Sequence, residues 1–489
     1  MSNLELKKSR KRLTFDYKYG FVIAICLVFF IQTCVGFIWM LDGSVEGVYL
    51  TSSSICMLLV TMPFLFRLLK PDPFSPLALA AFALLLGTGL RVPYVLFSSH
   101  ERAHFLLFGQ NLNEIVGASA LIIIGVATFT LGYCSTRKSF NATRLLGFSG
   151  STLSQRRVFF WSIGFAIIGS ISAYFFIKAA GLDLSQGLAA SSRKVYINHE
   201  LGGGETTSGT GGLPRFMVKA AEVAFITMAA MLVVGALRFK KSVKVAMLIF
   251  AIPVFLVPFI TSSRSSIALV IIAVLIFASY YNKVRIYHLG VGLIFISMVM
   301  VVMGQLRTAN MTGVAIAESP VDTIIGSGNG LDFVRTAGII SKIPEKTPHM
   351  LGKSYLSGLT FFIPRSLWPK KPDVALGPWV KETVFGYPVP GNNGWPAGTI
   401  AEAYINFGAL GIPLVMFLYG LICRIFYNSF SRQLGKNLPM TILYSYIIWR
   451  FGVSTFGLNI AHGVSQTLIL AFPMLIFLHL TKVKVKNIN

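Results

Sequence analysis

Long apolar runs recur along the chain, parted by short polar and basic stretches. They lie near residues 20–41, 48–66, 76–97, 113–134, 158–179 and 216–237, and again near 245–261, 266–281, 289–306, 398–423, 439–458 and 466–480. A helix crosses the hydrocarbon core of a bilayer in about twenty residues, and fewer suffice where polar ends snorkel. The pattern therefore predicts an all-α polytopic membrane protein, with about 12 transmembrane helices in a single integral membrane domain over residues 1–489. The least regular part is 245–281, where two runs are separated only by TSSRSS.

Two polar stretches are too long to be simple turns. Residues 181–215 are rich in Gly, Ser and Thr (GGGETTSGTGG) and predict a flexible outer loop. Residues 307–397 predict a large outer loop with amphipathic segments. One of these, LDFVRTAGIISKI at 331–343, is stopped by Pro344, and the pattern predicts short helices lying at the membrane surface.

Composition supports the membrane reading. Of 489 residues, 54% are hydrophobic and 12% charged, more apolar surface than a water-soluble domain hides. The formal net charge of +25 would suit nucleic acid, but the cations lie in clusters between apolar runs. With the N-terminus inside, the inner segments hold 25 Lys and Arg against three acids, Glu5, Asp16 and Asp72. The outer segments hold 14 cations that their acids nearly balance. That is the positive-inside asymmetry, and it places both termini in the cytoplasm without any nucleic-acid partner. Lys7, Lys8, Arg10, Lys11 and Arg12 precede the first run with no small-residue cleavage pattern after it, which predicts a first transmembrane helix and not a removed signal peptide. Cys26, Cys34, Cys56, Cys134 and Cys423 form no CxxC pair, so neither a disulfide framework nor a zinc site is expected.

Several familiar chemistries lack their residues. There is no DxD, GxSxG or HExxH, and GKS at 352–354 lacks the earlier glycine of a phosphate loop. The expectation is chemistry without a metal, ATP or other cofactor. What the outer face does carry is cations in restrained settings. Arg365, Lys370 and Lys371 share FIPRSLWPKKPD (362–373) with Trp368 and three prolines, and Arg264 sits in the small-residue turn between two apolar runs. Arg91 lies near the outer end of the third run, and Arg193 in the first long outer loop. Rigidly held guanidinium forks suit a lipid-linked phosphate or pyrophosphate. The alternative is headgroup anchoring, which Trp beside Lys or Arg often serves.

Glu402, in AGTIAEAYINFG (397–408), lies at the outer end of the tenth run. A carboxylate there is costly unless paired or used, so it is either a general base or a structural partner of an arginine. His462, in NIAHGVSQ, and the outer-loop His104 and His349 are solvated residues or alternative bases. Lys219 and Glu222, three apart, predict a mutually satisfied pair in preference to a proton relay.

On these residues the chain resembles the O-antigen polymerase (Wzy) family of oligosaccharide repeat-unit polymerases. The local likeness is strongest in GKSYLSGLTFFIPRSLWPKKPD and AEAYINFGALG, with SSR at 262–264, while the architecture is similar over the whole length. The resemblance implies a multi-pass enzyme of the bacterial inner membrane, working at the periplasmic face. Its substrate would be an undecaprenyl-pyrophosphate-linked oligosaccharide among membrane lipids, with a chain-length-regulating co-polymerase as partner. Glu402, Arg365 and Arg264 would then be catalytic, and Arg91, Arg193, Trp368, Lys370, Lys371 and His462 would bind substrate. Two rivals share parts of this pattern. An O-antigen ligase, transferring polymer to lipid A core, would depend on an outer-loop His. A lipid-linked oligosaccharide flippase would carry more charges inside its spans and shorter loops.

Overall fold

A computed structural model describes residues 3–66, 68–69, 72–97, 112–179, 217–236, 240–260, 264–281, 291–292, 294–299, 301–302, 333–360, 362–363, 367–368, 376–387 and 394–484. In chain order the main helices of the first half are α1 (Asn3–Leu41), α2 (Val45–Leu65), α3 (Pro76–Leu84), α4 (Arg91–Phe97), α5 (Leu112–Cys134) and α6 (Gln155–Ala179). Then come α7 (Lys219–Val233), α8 (Lys240–Ile260), α9 (Arg264–Tyr280), α10 (Phe333–Lys342) and α11 (Lys353–Leu359). Three long helices close the chain: α12 (Thr399–Ser431), α13 (Leu438–Gly457) and α14 (Ile460–Thr481). Two short strands, β1 (Ser151–Leu153) and β2 (Lys482–Lys484), pair antiparallel.

Among the described residues, eight helices are long and apolar enough to cross a membrane. They correspond to the apolar runs near 20–41, 48–66, 76–97, 113–134, 158–179, 245–261, 398–423 and 466–480. The third is α3 and α4 joined by a wider helical turn at Leu85–Gly89. The runs near 216–237, 266–281 and 439–458 form α7, α9 and α13, of 15, 17 and 20 residues. Of the run near 289–306, residues 291–292, 294–299 and 301–302 are described and helical, and the whole of 181–215 lies outside the described residues.

The described helices share two large apolar cores. One joins α1, α2, α3, α5, α10 and α12 through residues such as Phe29, Met57, Phe129, Phe333 and Met416. The other joins α6, α7, α8, α9, α13 and α14 through Phe165, Val223, Ile272, Tyr444 and Met474. A charge inside such a core needs a partner, as low-dielectric burial requires. Lys219 and Glu222 form an ion pair at 2.5 Å, and the Tyr446 hydroxyl donates to the same carboxylate at 2.7 Å. The expected pair is formed.

Loops at each end of the bundle meet one another. At one end Asp72 accepts from the hydroxyls of Tyr427 (2.6 Å) and Tyr280 (3.1 Å), Asn437 donates to the Phe148 carbonyl, and Arg157 donates to that of Lys482. Apart from Tyr280, at the end of an apolar run, these residues lie in segments that the charge pattern groups as inner. At the other end α10, α11 and residues 376–387 and 394–399 pack over the helix ends.

Helix α10 forms where the amphipathic pattern puts it, but it does not lie on a surface. Phe333 through Ile340 are all buried, with Phe333 edge-on to Tyr49 of α2 and the helix seated against α5 and α12. It is a wedge inside the protein. An apolar stripe states which face seeks burial, and here neighbouring helices cover the polar side as well.

Candidate active site

The 33-residue helix α12 is broken near its start. Gly408 has φ 67° and ψ −159°, a backbone state open essentially to glycine alone. Helical bonding fails around such a residue, so carbonyls just before it need other partners. The chain supplies them from Met350 and Leu351, whose amides donate to the carbonyls of Ile405 (2.9 Å) and Asn406 (3.1 Å). The Gly352 amide donates to Asn406 Oδ1 at 2.9 Å, and His349 Nδ1 lies 3.3 Å from the Ile405 carbonyl. The break thus fastens the start of α11 beside the short first segment of α12. At about 1.5 Å per residue, the part after Gly408 spans roughly 35 Å and crosses a core of about 30 Å alone. The Thr399–Phe407 segment is left to build a site at the helix end.

Glu402 is the hub of that segment. Its side chain is 0% exposed, and donors from two other segments of the chain reach its carboxylate. Ser354 Oγ of α11 donates to Oε1 at 2.8 Å, Asn459 Nδ2 approaches the same oxygen at 3.5 Å, and the Ile460 amide donates to Oε2. Ile460 opens α14, so the carboxylate satisfies one of the free amides at that helix start and complements its dipole. Asn406, one turn after Glu402, donates to Ser354 Oγ at 2.7 Å and to the Glu402 carbonyl at 2.8 Å. Thr399 Oγ1 donates to the Thr455 carbonyl at 2.7 Å, tying the start of α12 to the end of α13. A buried carboxyl group held by several donors fixes the relative placement of the segments that carry them.

His462 lies two residues beyond Ile460, in the first turn of α14, half-buried and within electrostatic reach of Arg450 on α13. Helix α11 packs tightly on this turn: a Cβ at Gly358 would stand 2.9 Å from that of Ala461. Tyr355 of α11 stacks on Phe407, and its hydroxyl is buried beside Asn406.

The structure therefore brings Glu402 and the turn carrying His462 together. Phe362, Leu367 and Trp368 follow α11 directly and are exposed, Trp368 at 40%. Arg91 begins α4 and is buried, and its neighbour Val92 belongs to the same apolar core as Ile400. Arg264 is the first residue of α9, at the junction expected for it, with its side chain outside the description. Arg193, Arg365, Lys370 and Lys371 lie outside the described residues, as does His104. Ser354, Asn406 and Asn459 are the site members not singled out from the sequence. Asn406 carried the one usable signal, since it stands four residues from Glu402 and hence on the same helix face.

In comparison with known proteins, a family model described as O-antigen polysaccharide polymerase Wzy matches residues 21–456. No curated protein and no solved structure matches the chain.

Proposed function

Because the chain belongs to the O-antigen polysaccharide polymerase Wzy family, we propose that it polymerises undecaprenyl-pyrophosphate-linked oligosaccharide repeat units at the periplasmic face of the inner membrane. The growing glycan moves from its lipid pyrophosphate onto the terminal sugar of a new lipid-linked unit. The bond between the anomeric carbon and the pyrophosphate oxygen breaks, and one to the acceptor oxygen forms. The acceptor proton passes to a base, and the lipid pyrophosphate leaves. The energy resides in the donor bond, so no ATP is needed, and in this reading arginines, not a metal, stabilise the departing pyrophosphate.

The observation that carries this reading is the convergence on Glu402. Ser354, Asn459 and Ile460 join the large outer loop, the broken helix and the first turn of α14 at one point. Full burial suits Glu402 to a positioning role, presenting His462 to the acceptor hydroxyl. Arg365 and Arg264 grip the departing pyrophosphate with bidentate forks. Arg91, Arg193, Lys370 and Lys371 add charge along the lipid phosphate path, and Trp368 forms a wall for the sugars.

The topology in this reading has about twelve spans and both termini in the cytoplasm. The charge asymmetry supports it, and so does the meeting of the basic loops at the end opposite Glu402. A chain-length-regulating co-polymerase is the proposed partner. The test is polysaccharide length in cells lacking the protein. Lipid A capped with single repeat units is expected. Free lipid-linked polymer would instead identify a ligase, and accumulation of repeat units at the inner face a flippase.

A further inference from the structure

Away from this site, α6 and α8 flank an open groove of about 710 Å³, within the size range of ligand-binding clefts. Its walls are apolar, with Ile163, Ile167 and Ile171 on one helix and Val245, Ile249 and Phe250 on the other. Ala173 and Phe176 of α6 cluster with Val257 of α8, so the helices run side by side in the same direction. Lys241 and Ser242 line the groove where α8 begins. Arg156 lies seven residues before Ile163, two turns away on the same stripe of α6, and is exposed, as are Lys241 and Lys244. Neither helix has an acid in its first turn.

We propose that this groove binds one anionic phospholipid, with an acyl chain along the isoleucines and the phosphate between Arg156, Lys241 and Ser242. Cations in the first turn of a helix oppose its dipole, and two adjacent helices both carry them here. A phosphate relieves that arrangement, and a zwitterionic headgroup does so far less. The length also fits. From Lys241 to Phe250 is roughly 13 Å of helix, about half of a core of about 30 Å, so the groove accommodates a lipid of one leaflet. Basic pockets between transmembrane helices recognise anionic headgroups in this manner.

The experiment incubates the full-length protein in detergent with vesicles of equal parts phosphatidylglycerol and phosphatidylcholine, then counts retained lipids by native mass spectrometry. Preferential retention of one phosphatidylglycerol is expected. The double variant Arg156→Ala, Lys241→Ala should weaken that retention about tenfold or more, and Ser170→Phe, which fills the groove, should abolish it. Equal retention of the two lipids overturns the proposal, as does retention that neither variant alters. Displacement of the phospholipid by an equimolar polyprenyl phosphate also overturns it, since the site would then belong to the carrier lipid. No polymerisation is measured, so the outcome is independent of the proposed catalytic site.

Discussion

The Ser354 hydroxyl donates to the Glu402 carboxylate at 2.8 Å across 48 residues of sequence. That bond links α11 to the first segment of α12. With the Ile460 amide on the other oxygen, it makes the carboxylate a joint between three segments.

Glu402→Gln presents an amide NH2 group to donors, and at least one of the bonds to Ser354, Asn459 or Ile460 is lost. Turnover per mole of purified protein should fall about a hundredfold or more, the usual loss when general-base catalysis fails, while lipid-linked donor still binds. In cells the product should be single-repeat caps. Near-normal turnover would remove Glu402 from the mechanism and leave His462 or His349 as the residue to test.

Ser354→Ala takes a donor away from the buried carboxyl group of Glu402, a loss of about 1–3 kcal/mol. The thermal midpoint in detergent should drop, and turnover should fall further than the loss of folded protein accounts for. A stability loss with unchanged turnover of the folded fraction would make the joint structural only.

Arg264→Lys and Arg365→Lys keep the charge and lose the bidentate fork. Both should lose most polymerisation while inserting and expressing normally. Normal activity from both lysine variants would reduce these residues to headgroup anchors.

Gly408→Ala forces a side chain into a backbone state that costs about 1–3 kcal/mol, and its Cβ would stand 3.4 Å from the His349 ring. Destabilisation with loss of activity is expected. An unchanged thermal midpoint would show that the break is absent from the folded protein.

Reporter fusions after Asn310 and Gly391 should read as external, and fusions after Lys241 and at the C-terminus as internal. An internal signal from Gly391 would put the loop that follows α11 on the wrong face for this substrate.

The helical architecture was legible because burying twenty-residue apolar runs leaves a membrane chain few other choices. The Lys219–Glu222 pair was legible for a similar reason: two opposite charges three apart on an apolar helix satisfy each other. Long-range pairing was not. AEAYINFGALG reads as uninterrupted helix with one tolerated glycine, and only the amides of Met350 and Leu351, some fifty residues earlier, make a break at Gly408 affordable. The role of Ser354 was hidden likewise, since a serine in GKS carries no mark of its partner. Helix α10 shows the same limit, because its moment predicted an apolar face and could not tell membrane from protein as the cover.

A membrane helix responds to bilayer thickness by tilting, and an unbroken helix carries that tilt along its whole length. The break at Gly408 interrupts the hydrogen-bonded ladder between Ala409–Ser431 and the segment bearing Glu402. That segment takes its orientation from Met350, Leu351 and Ile460 instead. In mechanical terms the glycine divides α12 into a part long enough to match the bilayer and a part whose pose is set by its bonds to the start of α11 and to α14.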